Sequence, residues 1–147
     1  MAVIGIQLLA CAKIDVYERN VSLKNHEWPG SFKPSVSFIV TDTTSLYNLY
    51  VVLRHSDAYN YNNIWINVYT KSPGDSAIKQ PLDLQLANKE GWLGTGMDDI
   101  FEHRIRINNA PVQLKKPGEY VFTFENIMRE DPLKHVLNIG FRIEKSN

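Results

Sequence analysis

The sequence predicts an all-β protein: an antiparallel, jelly-roll-like β-sandwich of about eight strands with one or two short helical turns. Apolar residues alternate with polar residues along most of the chain, which is typical of strands with one buried face. Clusters of Pro, Gly, Asn and Asp separate these segments at short intervals. At 147 residues, the chain has room for two packed sheets of roughly four strands each.

Seven segments carry the strand pattern, either by strict alternation or by enrichment in β-branched and aromatic residues. In "SVSFIV", Val36, Phe38 and Val40 share one face. In chain order the segments are "SVSFIV" (35–40), "NLYVVLRH" (48–55), "NIWINVYT" (63–70), "LDLQLA" (82–87), "HRIRIN" (103–108), "EYVFTFEN" (119–126) and "NIGFRIEK" (138–145).

Two segments are predicted to hold the short helical turns, "GMDDIFEH" (96–103) and "NIMREDPLKHVL" (126–137). Between strands, the motif "PGEY" places Tyr120 directly after a turn. That arrangement is typical of the tyrosine corner of sandwich domains, in which the hydroxyl bonds back to upstream backbone.

Composition excludes several classes of protein. Sixteen basic residues balance sixteen acidic ones, so no net field attracts nucleic acid or an anionic membrane. The single cysteine, Cys11, excludes an internal disulfide framework. No apolar run reaches the roughly 18 to 20 residues of a membrane-spanning helix. The shorter apolar run over 2–10 has the length of a signal-peptide core, which predicts a signal segment at 1–10 and a single β-sandwich domain at 11–147.

The densest polar group, "MDDIFEH", suggests a site for acid–base chemistry or a metal. On a helix, Asp99 and His103 would share a face, with Glu102 beside them and Asp98 at the start. The alternative is a solvated turn whose acidic residues favour a helix N-terminus. The four histidines are scattered, and none has zinc-site spacing. We expect neither a metal nor a cofactor.

Aromatic residues near turns suggest a surface that binds carbohydrate or peptide. Packing in the core and cross-strand pairing are the alternative role for most of them. Tyr59 and Tyr61, in the loop "SDAYNYNN", are expected to be the most exposed. The candidate binding surface consists of Arg54, His55, Tyr59, Tyr61, Trp92 and Asp99.

Several motifs together resemble the gliding-motility lipoprotein GldH family of Bacteroidetes-type bacteria, over about residues 11–145. The segments that carry the resemblance are "TDTTSLYNLYVVLRHSDAYNYNNIWINV" (41–68), "GWLGTGMDDIFEHRI" (91–105) and "KPGEYVFTFENIMREDPLKHVLNIGFRIEK" (116–145).

The resemblance implies a lipid-anchored, non-enzymatic accessory or assembly subunit of the gliding machinery, which is linked to type IX secretion. It implies a cell-envelope lipoprotein that faces the periplasm, with other gliding or secretion lipoproteins and membrane subunits as partners. "LLAC" (8–11) resembles a lipobox, which makes Cys11 the lipid-attachment residue. The alternative is a short buried strand with an inert thiol.

Overall fold

The computed structural model describes residues 16–146. Cys11 and the predicted signal segment 1–10 therefore lie outside the described residues, and the predicted boundary between signal segment and domain stays a prediction. The strands are β1 (Val16–Ser22), β2 (Glu27–Trp28), β3 (Ser35–Val40), β4 (Leu46–Ser56), β5 (Asn63–Lys71), β6 (Ile78–Gln85), β7 (Ala87–Asn88), β8 (Gly91–Trp92), β9 (Thr95–Met97), β10 (Ile100–Arg106), β11 (Val112–Gln113), β12 (Gly118–Asn126), β13 (Leu133–Lys134) and β14 (Val136–Lys145).

The strands form two main antiparallel sheets. The first has the order β1-β14-β4-β10-β9, with β11 paired to β4, and the second has the order β3-β12-β5-β6. Eight strands have six or more residues, four in each sheet. If these eight strands alone are renumbered in chain order, their order is 1-8-3-6 in the first sheet and 2-7-4-5 in the second. This is the strand order of a jelly roll, so the predicted jelly-roll-like sandwich is confirmed.

The core lies between the two sheets and is built from the predicted alternating faces. Phe122 of β12 stacks on Phe141 of β14 with ring centroids 3.9 Å apart, which joins one sheet to the other. Ile64, Ile66 and Val68 of β5 are fully buried. Alternation therefore placed these side chains on the correct face, as expected for strands that bury one side.

The tyrosine corner predicted at "PGEY" is present. The Tyr120 hydroxyl donates to the Lys116 carbonyl over 2.8 Å, and the ring is buried. Gly118 has φ of +129°, in the region that favours glycine. The turn before β12 is thus fixed by a buried side chain that bonds its own upstream backbone.

The predicted helical turns are wrong in position. Residues 96–103 lie in the hairpin of β9 and β10, and residues 126–137 run from the end of β12 through a loop and β13 into the start of β14. The helical turn of the described residues is a 3-10 turn at Lys24–His26. Acidic residues at 98–99 fit a tight hairpin turn as well as a helix start, because Asp accepts positive φ. Among residues 16–146, no helix has the length and apolar content to cross a bilayer.

The two ends of the sandwich are distinguished by the paired residues that lie at each. Val16 lies beside Glu144, which pairs with Asn48. We call this end, where β1 begins, the entry end. At the opposite end, the far end, Ser22 lies beside Asn138, which pairs with Arg54. All six residues of the predicted binding surface lie in segments of the far end.

Candidate functional site

The predicted binding surface is divided between two sides of the first sheet. Arg54 and His55 are neighbours in β4, so their side chains point to opposite faces. His55 is fully buried between the sheets, whereas Arg54 is exposed on the outer face. A strand cannot present adjacent side chains to one ligand on one face, so the six residues do not form one surface.

His55, itself fully buried, lies at the centre of an aromatic cluster. Its ring centroid is 4.4 Å from that of Trp92 and 5.2 Å from that of Tyr59. Phe101 and His103 of β10 stack at 5.9 and 4.9 Å. Three separate segments thus meet around one imidazole, and the cluster closes the far end of the core.

The two histidines form a hydrogen-bonded pair with a defined proton arrangement. His55 Nδ1 lies 2.7 Å from the Ser56 carbonyl oxygen, to which it must donate. His55 Nε2 is then the acceptor, and His103 Nε2 donates to it over 2.8 Å. Burial lowers the pKa of His55, while the bond to Ser56 acts in the opposite direction. Burial, followed by the charge of His55, lowers the pKa of His103 to about 4. The pair is therefore neutral near pH 7.

The loop "WLGTG" lies close against β10 because of its glycines. A Cβ at Gly94 would overlap the Glu102 carbonyl and lie 2.9 Å from His103 Nδ1. A Cβ at Gly96 would lie 2.8 Å from the Phe101 ring. The loop can close over the histidine pair because these two positions have no side chain.

The expectation that Tyr59 is exposed is wrong. Its side chain is 4% exposed, and its hydroxyl donates to the Asn63 carbonyl over 2.8 Å. Burial raises its pKa. Tyr61 is half-buried, and its hydroxyl donates to Glu130 Oε2 over 2.7 Å. A polar loop can still bury an aromatic ring when the hydroxyl finds a backbone acceptor.

The predicted shared helical face of Asp99 and His103 is wrong. Asp99 is exposed in the turn between β9 and β10, and its carbonyl accepts the Asp57 amide over 2.8 Å. His103 points inward to His55, and Glu102 points outward to Arg54. Asp99 lies in the turn before β10 and not on a helix, and the neighbours Glu102 and His103 point to opposite faces of that strand. Within residues 16–146, no three His, Cys, Asp or Glu side chains converge as a metal site.

A shallow cleft lies on the outer face of the first sheet at the far end, with a volume of about 270 Å³. We call it the far-end cleft. Cross-strand pairing aligns Ser22 of β1, Asn138 of β14 and Arg54 of β4 in one row, which continues to Glu102 of β10. The lining residues are Ser22, Leu23, His26, Arg54, Ile100, Leu137 and Asn138.

The cleft presents the guanidinium group of Arg54. Arg54 Nε bonds Glu102 Oε1 over 3.1 Å. In the described part of the chain, the remaining guanidinium nitrogens have no hydrogen-bond partner. Asn138 Oδ1 is buried and has no hydrogen-bond partner among residues 16–146. The open guanidinium nitrogens of Arg54 can recognise a group that accepts hydrogen bonds.

Of the residues predicted as a binding surface, Arg54 alone lines this cleft. Ser22, His26 and Asn138 were not predicted, because they are far apart in the chain and only strand register brings them together. No sequence motif marks them. Ile100 belongs to a segment of the family resemblance, but its sequence position gave no indication that it lines a cleft.

Comparisons with known proteins place the chain in a family. Residues 15–143 match the family model described as GldH lipoprotein. The chain belongs to the GldH lipoprotein family. It is 28% identical over 151 residues to the gliding motility lipoprotein GldH of Flavobacterium johnsoniae, covering 97% of this chain and 92% of that protein. It is 27% identical over 146 residues to a GldH homolog of Christiangramia forsetii, covering 94% and 88%.

The GldH match covers the sandwich except for the last two residues of β14, because the matched residues run from before β1 to within β14. The two relatives are named as lipoproteins of gliding motility. The far-end cleft and the histidine pair both lie within the matched region.

Proposed function

We propose that this GldH-family chain is a lipid-anchored, non-enzymatic accessory or assembly subunit of the gliding-motility machinery linked to type IX secretion, held at a membrane and facing the periplasm. The observation that carries the proposal is the match to gliding-motility lipoproteins over nearly the whole chain. Its partners are other gliding or secretion lipoproteins and membrane subunits.

The position of Cys11 supports the anchor. Four residues lie between Cys11 and Val16, where β1 begins, so the two are five residue steps apart. An extended chain of that length spans at most about 18 Å. Each acyl methylene in the bilayer contributes about 0.8 kcal/mol, and stable anchoring takes more than one chain. A multiply acylated Cys11 would hold the sandwich close to the membrane at its entry end.

The buried state of the histidines supports a non-enzymatic role. His103 bonds His55 and lies under the glycine loop, so it does not face the exposed Asp99. Shallow surface clefts and a closed core suit a protein that binds other proteins.

Metabolic labelling with a palmitate analogue tests the anchor. The wild-type protein should incorporate the label, and Cys11→Ser should abolish it because no other thiol is present. Spreading of colonies that express Cys11→Ser should be reduced. Ser45→Ala, an exchange within the matched region that leaves the thiol, is the control. An unlabelled wild-type protein, found free in the periplasm, would contradict the proposal.

A module that binds carbohydrate or peptide is the second function. A groove of about 260 Å³ favours it, where Trp65 is 44% exposed beside Tyr61 and Arg129. Exposed aromatic rings with polar neighbours suit sugar or peptide stacking. Tyr59 has no part in it because it is buried. Binding on a glycan array that Trp65→Ala abolishes would favour this function over the first.

A further inference from the structure

We propose that the entry end of the sandwich is a docking surface for anionic phospholipid headgroups, centred on Lys71, Lys115 and Lys116. This inference rests on the proposed function of the chain as a lipid-anchored subunit. It goes beyond the anchor, because the anchor holds the chain at a membrane whereas this surface determines which end of the sandwich faces that membrane.

The net charge of zero conceals an uneven distribution of charge along the chain. Residues 83–102 contain five acidic residues and one basic residue, whereas residues 103–118 contain four basic residues and none that is acidic. The change of sign follows the axis of the sandwich, because β10 runs from the far end to the entry end, where the segment before β12 carries Lys115 and Lys116. An anionic surface would therefore attract the entry end more strongly than the far end.

Three lysine side chains surround one aspartate at the entry end. Lys116 Nζ lies 2.6 Å from Asp75 Oδ1, and Lys71 Nζ donates to the Asp75 carbonyl over 2.8 Å. Lys115 lines the same shallow cleft and forms no ion pair with any of residues 16–146. Lys116 and Asp75 have side-chain exposures of 52% and 49%, so their ion pair contributes little and leaves the ammonium group accessible. Positive charge is thus in excess on this cluster.

Other charged side chains at this end do not cancel the excess. Lys145 Nζ pairs with Asp42 Oδ2 over 2.9 Å, so these two charges offset each other. Glu119 is exposed at the start of β12. Its charge is balanced by that of Arg106, which is exposed at the end of β10.

Exposed apolar side chains lie at the same end as the lysines. Ile78, which begins β6 after the loop that follows Lys71, is 70% exposed, and Leu46, which begins β4, is 48% exposed. Leu46 pairs with Gln113, two residues before Lys115. Lysines beside aliphatic side chains suit the headgroup region of a bilayer, because the apolar groups reach the acyl boundary while the ammonium groups contact phosphates.

The tether favours a lipid surface over an acidic protein as the occupant. Because Cys11 and Val16 are five residue steps apart, an acylated cysteine would keep the start of β1 within about 18 Å of its lipid attachment. In the first sheet, β11 lies three strand spacings from β1, which is about 14 Å. The lysines that follow β11 would therefore stay close to the headgroups whenever the chain is anchored.

Fluorescence quenching in vesicles tests the proposal on the acylated full-length chain. Ile78→Cys carries the fluorophore, since acylation blocks Cys11, and nitroxide-labelled headgroups are the quencher. One set of vesicles contains phosphatidylcholine, and the other also contains phosphatidylglycerol. We expect quenching at position 78 to be at least about twofold stronger with phosphatidylglycerol, because lysines are attracted to an anionic bilayer at short range. High salt should remove this difference.

Matched charge reversals show whether the lysine cluster causes the effect. Lys115→Glu should reduce quenching with phosphatidylglycerol to the level seen with phosphatidylcholine alone. Lys89→Glu makes the same exchange in the exposed turn between β7 and β8, and it should leave the difference unchanged. Lys115→Gln, which removes the charge without reversing it, should have an intermediate effect.

Two outcomes would overturn the proposal. One is equal quenching in the two kinds of vesicle, and the other is an equal effect of Lys115→Glu and Lys89→Glu, which would indicate attraction by overall charge. Failure of the docking surface leaves the lipid anchor unaffected, because palmitate labelling of Cys11 is measured separately.

Discussion

At the scale of single residues, the histidine pair has the clearest chemical consequence. His55 and His103 are buried, share one hydrogen bond and are neutral in the folded protein. In the unfolded chain each imidazole has its ordinary pKa of about 6.5. The folded protein takes up a proton at His103 only near pH 4. Acid therefore favours the unfolded state, which binds more protons.

We predict that the free energy of unfolding falls as the pH is lowered from 7 to 5. His103 alone should account for a fall of about 2 kcal/mol over this range. His103→Gln should reduce the fall, since Gln does not titrate. Urea unfolding at the two pH values measures the effect.

The exposed His26 provides the matched control for this measurement. His26→Gln makes the same substitution outside the buried pair, and its unfolding is measured alongside. If His103→Gln and the wild type lost the same stability between pH 7 and 5, the neutral pair would not be the cause.

At the scale of elements, the pairing of β1 with β14 depends on a glycine. A Cβ at Gly140 would overlap the backbone carbonyl of Arg19 and the side chain of Asn20. Seven residues of β1 pair with β14, and β1 is the edge of the first sheet. An edge strand is hydrogen-bonded to one neighbour only, so no second set of backbone hydrogen bonds holds it in place.

We predict that Gly140→Ala loosens β1 while the rest of the sandwich stays folded. Amide hydrogen exchange of Val16–Ser22 should rise at least about tenfold, because local opening becomes less costly. Exchange in β12, in the other sheet, should change little. Gly74→Ala is the control, because an added Cβ at Gly74 would have nothing within 4 Å. The positive φ of Gly74 makes this substitution mildly strained. Unchanged exchange in β1 would show that the strand can shift to accept the methyl group.

At the scale of the whole molecule, the start of β1 and the far-end cleft lie at opposite ends of the sandwich. Val16 is the first residue of β1 at the entry end, and Ser22 lines the cleft at the far end. Six residue steps at about 3.3 Å each place these ends about 20 Å apart along the strand. A short tether at Cys11 would leave the cleft directed toward partners beyond the membrane surface.

We predict that a fluorophore at the entry end is quenched by the membrane more than one at the far end. Leu46→Cys and Ile100→Cys would carry the fluorophore in lipidated protein, where acylation blocks Cys11. Both side chains are exposed. In vesicles with nitroxide-labelled headgroups, quenching should be at least about twofold stronger at position 46, because quenching needs close approach to the headgroups. Equal quenching would mean that the sandwich lies on its side.

The sequence predicted the fold well where one face of a strand is buried and the other is exposed to solvent. Alternation located the segments around Phe38, Ile66 and Phe122, and the "PGEY" motif located the tyrosine corner. It did not identify β1, "VYERNVS", because that edge strand buries too few side chains to show a clear apolar face. It placed helical turns in hairpin and loop segments because Asp-rich turns and helix starts share the same residues.

By itself, then, the sequence determined the all-β class, the two-layer core and the family resemblance, since these follow from local alternation and from residues close together in the chain. Only the tertiary structure decided which polar residues meet. It placed Arg54 and His55 on opposite faces, buried Tyr59, joined His55 to His103 and aligned Ser22, Asn138 and Arg54 in one cleft. The physical reason is that strand order and register set these contacts, and both depend on pairing between segments distant in sequence.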